Sequence, residues 1–299
     1  MSERIAFAKH HGLGNDFLLI DVRDGSEQRL RAAATALCDR HRGVGGDGLL
    51  LLLRSEPRPA MRVVNADGSV PEMCGNGLRC FVQWLDDRGL LPTTTGEAGE
   101  FAEVDTDAGT LRCEVFRDGA GSGAGRVVEV EVAMGRAQLE PSRVPFTGDA
   151  PLADALFDAY GNPLRATALA IGNPHLVLFD PVDDQKRLRL GPMLERHASF
   201  PARVNVEFCA PLAPAADGTA QLRVDVFERG CGWTQACGTG ATAVVIAHVL
   251  AGRHPAGEPM RVQLPGGWLT IRASAEGEGW MRGPTAFVFE GVVDLPGPT

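Results

Sequence analysis

Hydrophobic positions along this chain alternate more often than they follow a helical period. Val128, Val130 and Val132 are spaced by two, as are Leu222, Val224 and Val226. That period puts apolar side chains on one face of a strand. Dense β-type runs occupy residues 49–53, 176–179 and 287–293. Helical patterns are fewer and predict three helices, over residues 30–39, 78–88 and 241–250. The second has Phe81, Val82, Trp84 and Leu85 as its apolar positions and Gly89 as its stop, and Gly252 ends the third. The glycine- and serine-rich segment 119–125 fits a hairpin tip or a domain linker, and we read it as a linker region.

The chain also repeats itself weakly. Asn15 and Asn173 each follow a glycine, and each precedes an apolar strand that ends in Asp (Asp21, Asp180). A strand ending at Asn65 leads to Cys74-Gly75-Asn76-Gly77, and one ending at Glu228 leads to Cys237-Gly238-Thr239-Gly240, the cysteine coming nine positions after the strand end in both. The offsets, 158 positions for the first pair and 163 for the second, nearly agree. Two matches in order and spacing point to a duplicated domain. Each copy reads strand, loop, Cys-Gly-x-Gly, helix.

The glycines of that motif let the backbone approach a ligand closely. The helix that follows offers unpaired N–H groups and the positive end of its dipole, a place for a carboxylate. A cysteine there is expected to have its thiolate favoured. The plain alternative is a small buried side chain beside a tight turn. Two copies favour chemistry. If both helix ends meet at the domain interface, two thiols flank one carbon, and one can remove a proton while the other delivers one to the opposite face. Cys38, Cys80, Cys113 and Cys209 fall on predicted helices and strands and read as structural. Cys231 reads as loop packing.

Composition narrows the classes. The 299 residues favour about two domains at ~150 residues each, and 44% hydrophobic against 22% charged residues suits a globular chain. A net charge of −9 gives no general attraction for nucleic acid or anionic membranes. No apolar h-region opens the chain, and no stretch reaches the ~18 apolar residues of a membrane span. Seven cysteines, an odd number, suggest reduced thiols and a cytoplasmic location. No Cys-x-x-Cys pair occurs, so no metal is expected. Lys9 and Lys186 are the only lysines. Neither sits where a pyridoxal phosphate enzyme needs its Schiff base.

Taken together, His11 to Phe17, Asn65 to Ser69 leading to Cys74-Gly75-Asn76-Gly77, Gly172 to His175, and Glu228-Arg229-Gly230 leading to Cys237-Gly238-Thr239-Gly240 resemble the diaminopimelate epimerase family over essentially the whole chain. The resemblance implies an α+β fold of two pseudo-twofold-related domains, each a curled, mostly antiparallel sheet around a central helix. It places one domain at 1–125 plus 285–299 and the other at 126–284, with the active site in the cleft between them. It implies a cofactor-independent interconversion of LL- and meso-diaminopimelate, on the way to lysine and peptidoglycan. Cys74 and Cys237 are then the acid–base pair. Gly75, Asn76, Gly238 and Thr239 bind the reacting carboxylate. Asn15, Asn65, Asn173, Asn205, Glu228 and Arg229 hold the rest of the substrate. His175, His10 and His11 read as structural, since the thiols already supply both protons.

Departures from the family are Gly48, where a glutamine is usual, Trp233, where an acidic residue is usual, and Cys231. The expected partner is a small molecule, with no nucleic acid and no membrane. A homodimer is compatible with the family but nothing in this sequence demands it. A proline racemase or hydroxyproline epimerase shares the two-thiol device, but carries His where Asn76 stands. A non-catalytic ligand-binding relative is the other alternative, against which the two intact thiols argue.

Overall fold

The computed structural model of the chain describes residues 4–22, 26–53, 57–97, 99–118 and 125–295. The fold is α+β, and the chain divides into two units, Met1–Val132 with Gly283–Thr299, and Ala133–Arg282.

In the first unit, β1 (Arg4–Gly12) and β2 (Asn15–Val22) form a hairpin that pairs Gly12 with Asn15. Helix α1 (Glu27–Cys38) carries the chain across the sheet, so that β3 (Gly48–Leu53) lies parallel to β2. Parallel neighbours require such a crossover. Strand β4 (Ala60–Asn65) returns antiparallel to β3 and feeds helix α2 (Gly75–Asp87). Then β5 (Thr93–Gly96), β6 (Gly99–Thr106), β7 (Gly109–Arg117) and β8 (Val127–Arg136) pair antiparallel in succession. Most of the linker expected at 119–125 falls at 119–124, outside the described residues. Strands β7 and β8 are hydrogen-bonded neighbours. The passage between units lies within β8.

The second unit repeats this order. Strand β9 (Ala155–Asp158) precedes the hairpin of β10 (Pro163–Ile171) and β11 (Asn173–Leu178). Helix α3 (Asp184–Leu194) crosses over, and β12 (Asn205–Pro211) lies parallel to β11. Strand β13 (Ala220–Glu228) returns antiparallel to β12, and a two-residue β14 (Gly232–Trp233) precedes helix α4 (Gly238–Leu250). Strands β15 (Met260–Leu264), β16 (Gly267–Ala273) and β17 (Glu278–Pro284) follow as a meander. The chain then re-enters the first unit, where β18 (Ala286–Asp294) pairs antiparallel with β1.

The unbroken run of leucines in β3 is explained by cover on both faces. Leu49 and Leu51 pack with Leu18 and Ile20 of β2 against Leu30, Ala34 and Leu37 of α1. Leu50 points the other way, its Cδ2 against Gly77 of α2. In the second unit Leu190 and Leu194 of α3 pack on Ala166, Leu176, Val206 and Phe208. Helices α2 and α4 are enclosed. Every residue from Gly75 to Leu85 is buried, and all but two residues of α4's first twelve are. A helix buried on all sides lies inside its unit rather than on its surface. Both cysteine motifs therefore open onto the N-terminus of a central helix.

The three helices expected from the apolar pattern are present, each beginning three residues earlier. For α2 and α4 the reason is the motif itself, whose glycines form the first helical turn. Helix α3 was not expected. Its charged run 183–187 carries little apolar period, and Pro192 lies inside it.

Candidate active site

Cys74 is the N-cap of α2, with extended backbone (φ −139°, ψ 111°). Its Sγ accepts a hydrogen bond from the Gly77 N–H at 3.4 Å. Cys237 is the N-cap of α4 in the same conformation (φ −121°, ψ 104°), and its Sγ accepts from the Gly240 N–H at 3.3 Å. N-cap positions usually hold an oxygen acceptor. Here sulfur takes that place twice. The fourth motif residue, glycine in both copies, lies against the sulfur, more tightly at 240 than at 77. A Cβ on Gly77 falls 3.5 Å from the Cys74 Sγ, and one on Gly240 falls 3.1 Å from the Cys237 Sγ. The sulfurs are thus fixed at the rim of a helix end whose first N–H groups have no intrahelical partner.

Around Cys74, the Asn76 Nδ2 donates to Asn15 Oδ1 at 3.1 Å, and Asn15 Nδ2 donates to Asp47 Oδ2 at 2.7 Å. Arg40 holds Asp47 in turn, at 2.7 Å. Burial pushes the neighbouring Asp16 up, but hydrogen bonds from Arg40 and Lys9 outweigh it and hold its carboxyl at about 2. Asn15 is therefore presented by a charged network, with Asp47 its immediate anchor. Among the described residues, Asn76 Oδ1 is buried without a hydrogen-bond partner. Asn65, at the end of β4, is bonded to Ser69 at 2.8 Å and not to this pair.

The surroundings of Cys237 differ in charge. Glu228 lies beside the thiol, its Oε1 accepting from Thr234 Oγ1 at 2.6 Å. Thr239 Oγ1 is 3.5 Å from the sulfur. Burial, then Glu228 and Glu207, push the Cys237 thiol well above its ordinary range, against the smaller pull of Thr239 and the Gly240 N–H. At Cys237, burial beside carboxyl groups therefore opposes the helix dipole, which by itself favours the thiolate. Burial likewise pushes up the Cys38, Cys80, Cys113 and Cys209 thiols, Cys38 to about 11 and Cys80 and Cys113 to about 12.

The remaining expected residues form two groups in the second unit. Asn205 Oδ1 accepts from the Arg229 backbone N–H at 2.8 Å, while its Nδ2 is buried without a hydrogen-bond partner among the described residues. The Arg229 side chain is exposed and bonds the Ala202 carbonyl at 3.2 Å. Glu228 and Arg229 thus diverge, the carboxyl toward the sulfur and the guanidinium toward solvent. Asn173 Oδ1 accepts from His175 Nε2 at 2.9 Å, and His175 Nδ1 is 2.6 Å from Glu207 Oε1. Glu207 was missed from sequence. Its signal was a charge on an otherwise apolar strand, next to the Asn205 that had been noticed. Among the described residues no cluster of three or more His, Cys, Asp or Glu could hold a metal ion. No helix there is long and apolar enough to cross a membrane.

The family model for diaminopimelate epimerase matches residues 7–140 and 167–288. The chain belongs to the diaminopimelate epimerase family. It is 42% identical over 294 residues to a protein named diaminopimelate epimerase from Desulfitobacterium hafniense, covering 95% of this chain and 96% of that one. Its identity to the protein of the same name from Desulforudis audaxviator is 43% over 293 residues, covering 95% and 98%. Among solved structures, a PhzF-family phenazine biosynthesis protein from Bacillus anthracis aligns with a TM-score of 0.70 at 14% identity, over 97% of this chain and 99% of that one. A hydroxyproline epimerase from Agrobacterium vitis aligns with a TM-score of 0.67 at 16% identity, over 100% and 95%. At those identities the likeness shows the fold.

The structure gives surroundings for the three positions expected to depart from the family pattern, Gly48, Trp233 and Cys231. A Cβ on Gly48 meets the Val64 carbonyl oxygen at 2.6 Å. A glutamine there has no room unless β4 moves. Trp233 packs edge-on to Phe227, with the Arg187 guanidinium over its ring. Its ring also lies against Gly191 of α3. Cys231 is exposed in the turn between β13 and β14.

Proposed function

We propose that the chain is a two-thiol epimerase that interconverts LL- and meso-2,6-diaminopimelate without a bound cofactor. One cysteine, as thiolate, removes the α-proton. The other, as thiol, delivers a proton to the opposite face of the same carbon. Gly75, Asn76, Gly238 and Thr239, in the first turns of α2 and α4, take the reacting carboxylate through backbone N–H groups and stabilise it as it gains enediolate character. Asn15, Asn65, Asn173, Asn205, Glu228 and Arg229 receive the remaining amino and carboxylate groups. Arginine suits the distal carboxylate, which it can fork.

The observation that carries this reading is the repeated N-cap. In each unit a cysteine sulfur, held by the N–H three residues on, stands at the mouth of the central helix. The buried partnerless polar atoms of Asn76 and Asn205 support ligand contact at both places, since such atoms are costly unless something bonds them. The test is incubation with LL-diaminopimelate and, separately, with L-proline, followed by separation of stereoisomers. Appearance of the meso isomer, with proline unchanged, is the expected result. Inversion of proline alone would move the reading to a proline racemase, and no change in either to a non-catalytic relative.

A further inference from the structure

Glu195 is the C-cap of α3. A carboxyl there is unfavourable for the helix, because a helix C-terminus carries partial negative charge. The residue is also only 2% exposed, where a charged group is costly unless it is bonded. Capping does not call for this side chain, since the Glu195 backbone N–H makes the cap bond, to the Gly191 carbonyl. The carboxyl bonds elsewhere. Its Oε1 accepts from the Gly230 backbone N–H at 3.2 Å and from an Arg203 guanidinium nitrogen at 3.4 Å, and its Oε2 accepts from Arg196 Nε at 3.0 Å. The Glu195 carbonyl accepts from the Val204 N–H at 3.2 Å.

These bonds bracket the place where Arg229 is held. Asn205 Oδ1 takes the Arg229 backbone N–H, and the Ala202 carbonyl takes its guanidinium. Glu195 bonds Gly230, the residue after Arg229 in the turn, and both residues between Ala202 and Asn205. Arg203 has φ +62°, a left-handed conformation that a non-glycine residue keeps only where its surroundings fix it. Its N–H donates to the Phe200 carbonyl at 2.8 Å, and its guanidinium ends on Glu195.

We propose that Glu195 is a positioning residue for Arg229: it ties the turn after β13 to the segment 202–204, so that the guanidinium meets the distal carboxylate of the substrate already ordered. The proposal rests on the epimerase reading, in which Arg229 receives that carboxylate. Without the Glu195 side chain the turn and the segment lose their shared anchor, and Arg229 has to be ordered at the moment of binding, which weakens binding. Cys237 is held by α4 through the Gly240 N–H, so the loss falls on binding rather than on the proton transfers.

The test joins steady-state kinetics on LL-diaminopimelate to hydrogen–deuterium exchange of the peptide spanning 226–233, with circular dichroism as the check on folding. In Glu195→Ala, KM rises about tenfold while kcat changes far less, and exchange in that peptide speeds up. Glu195→Gln keeps an acceptor for the Gly230 N–H but not the charge that holds Arg203, and raises KM about threefold. In an Arg229→Ala background Glu195→Ala adds no further rise in KM, because Glu195 acts through Arg229, whereas a merely structural loss would add. A folded Glu195→Ala with unchanged KM, with unchanged exchange, or with a KM rise that persists in full beside Arg229→Ala overturns the proposal. Should Glu195→Ala fail to fold, an unchanged KM in Glu195→Gln does so. Exchange needs no substrate. A wild-type chain that leaves diaminopimelate unchanged therefore counts against the epimerase reading, and exchange alone then decides whether Glu195 anchors the turn.

Discussion

Gly77 and Gly240 hold the same place in their motifs, but an added methyl meets different neighbours. At 240 it presses on the Glu207 carboxyl and, at 3.1 Å, on the Cys237 sulfur, both deeply buried. At 77 it meets the end of the flexible Leu50 side chain at 2.9 Å, with sulfur at 3.5 Å. Gly240→Ala should therefore lower kcat about 100-fold by displacing the thiol, and Gly77→Ala markedly less, as steady-state kinetics on folded protein will read. Arg229 offers a second contrast. Its side chain is exposed and held by one backbone carbonyl, so Arg229→Ala should leave the melting temperature near that of the wild type. It should weaken substrate binding by about 2–5 kcal/mol, seen as a raised KM, if the guanidinium takes the distal carboxylate. The two cysteines were legible in the sequence because a Cys-Gly-x-Gly motif announces a helix mouth. The upward push on the Cys237 thiol was not, because it comes first from burial and then from Glu228 and Glu207, and the fold alone encloses the sulfur and brings Glu207, 30 positions away in the chain, beside it.

Among the elements, α3 separates what periodicity can show from what it cannot. Helices α2 and α4 were legible because their apolar residues are dense, although the glycines of their first turns hid where they begin. Helix α3 buries only Leu190, Gly191 and Leu194, too narrow a stripe to show a period. The repeat held the missing signal. Shifting α1 by the 158-position offset puts a helix at 185–196, within a residue or two of Asp184–Leu194. Parallel pairing of β11 with β12 also demands a crossover between them. The start of α3 is fixed by Asp183, whose Oδ1 accepts from the Lys186 N–H at 2.8 Å. Asp183→Ala should cost about 1 kcal/mol of stability by removing that cap. Denaturant titration will measure the loss, and turnover at permissive temperature should not change.

For the molecule as a whole, duplication explains why two units carry one order of elements: hairpin, crossover helix, parallel strand, returning strand, and a central helix opening on a cysteine. The same duplication supplies two thiols where a single-domain chain would have one. A thiol carries one proton, so the group that removes a hydrogen cannot return it to the other face, and a symmetric pair suits an inversion that must run both ways. The electrostatic surroundings have nonetheless diverged, with Asn15, Asp47 and Arg40 near the first helix mouth and buried carboxylates around the second thiol.

The two-base account is tested most directly by running LL-diaminopimelate forward in deuterated water and reading isotope in both isomers at early times. The account predicts that the meso product carries deuterium at the inverted carbon from the first turnovers while recovered substrate remains protiated, and that Cys74→Ala and Cys237→Ala each abolish inversion in both directions. Product that keeps its original α-hydrogen, or a single-alanine variant that still inverts the centre at an appreciable rate, would contradict it.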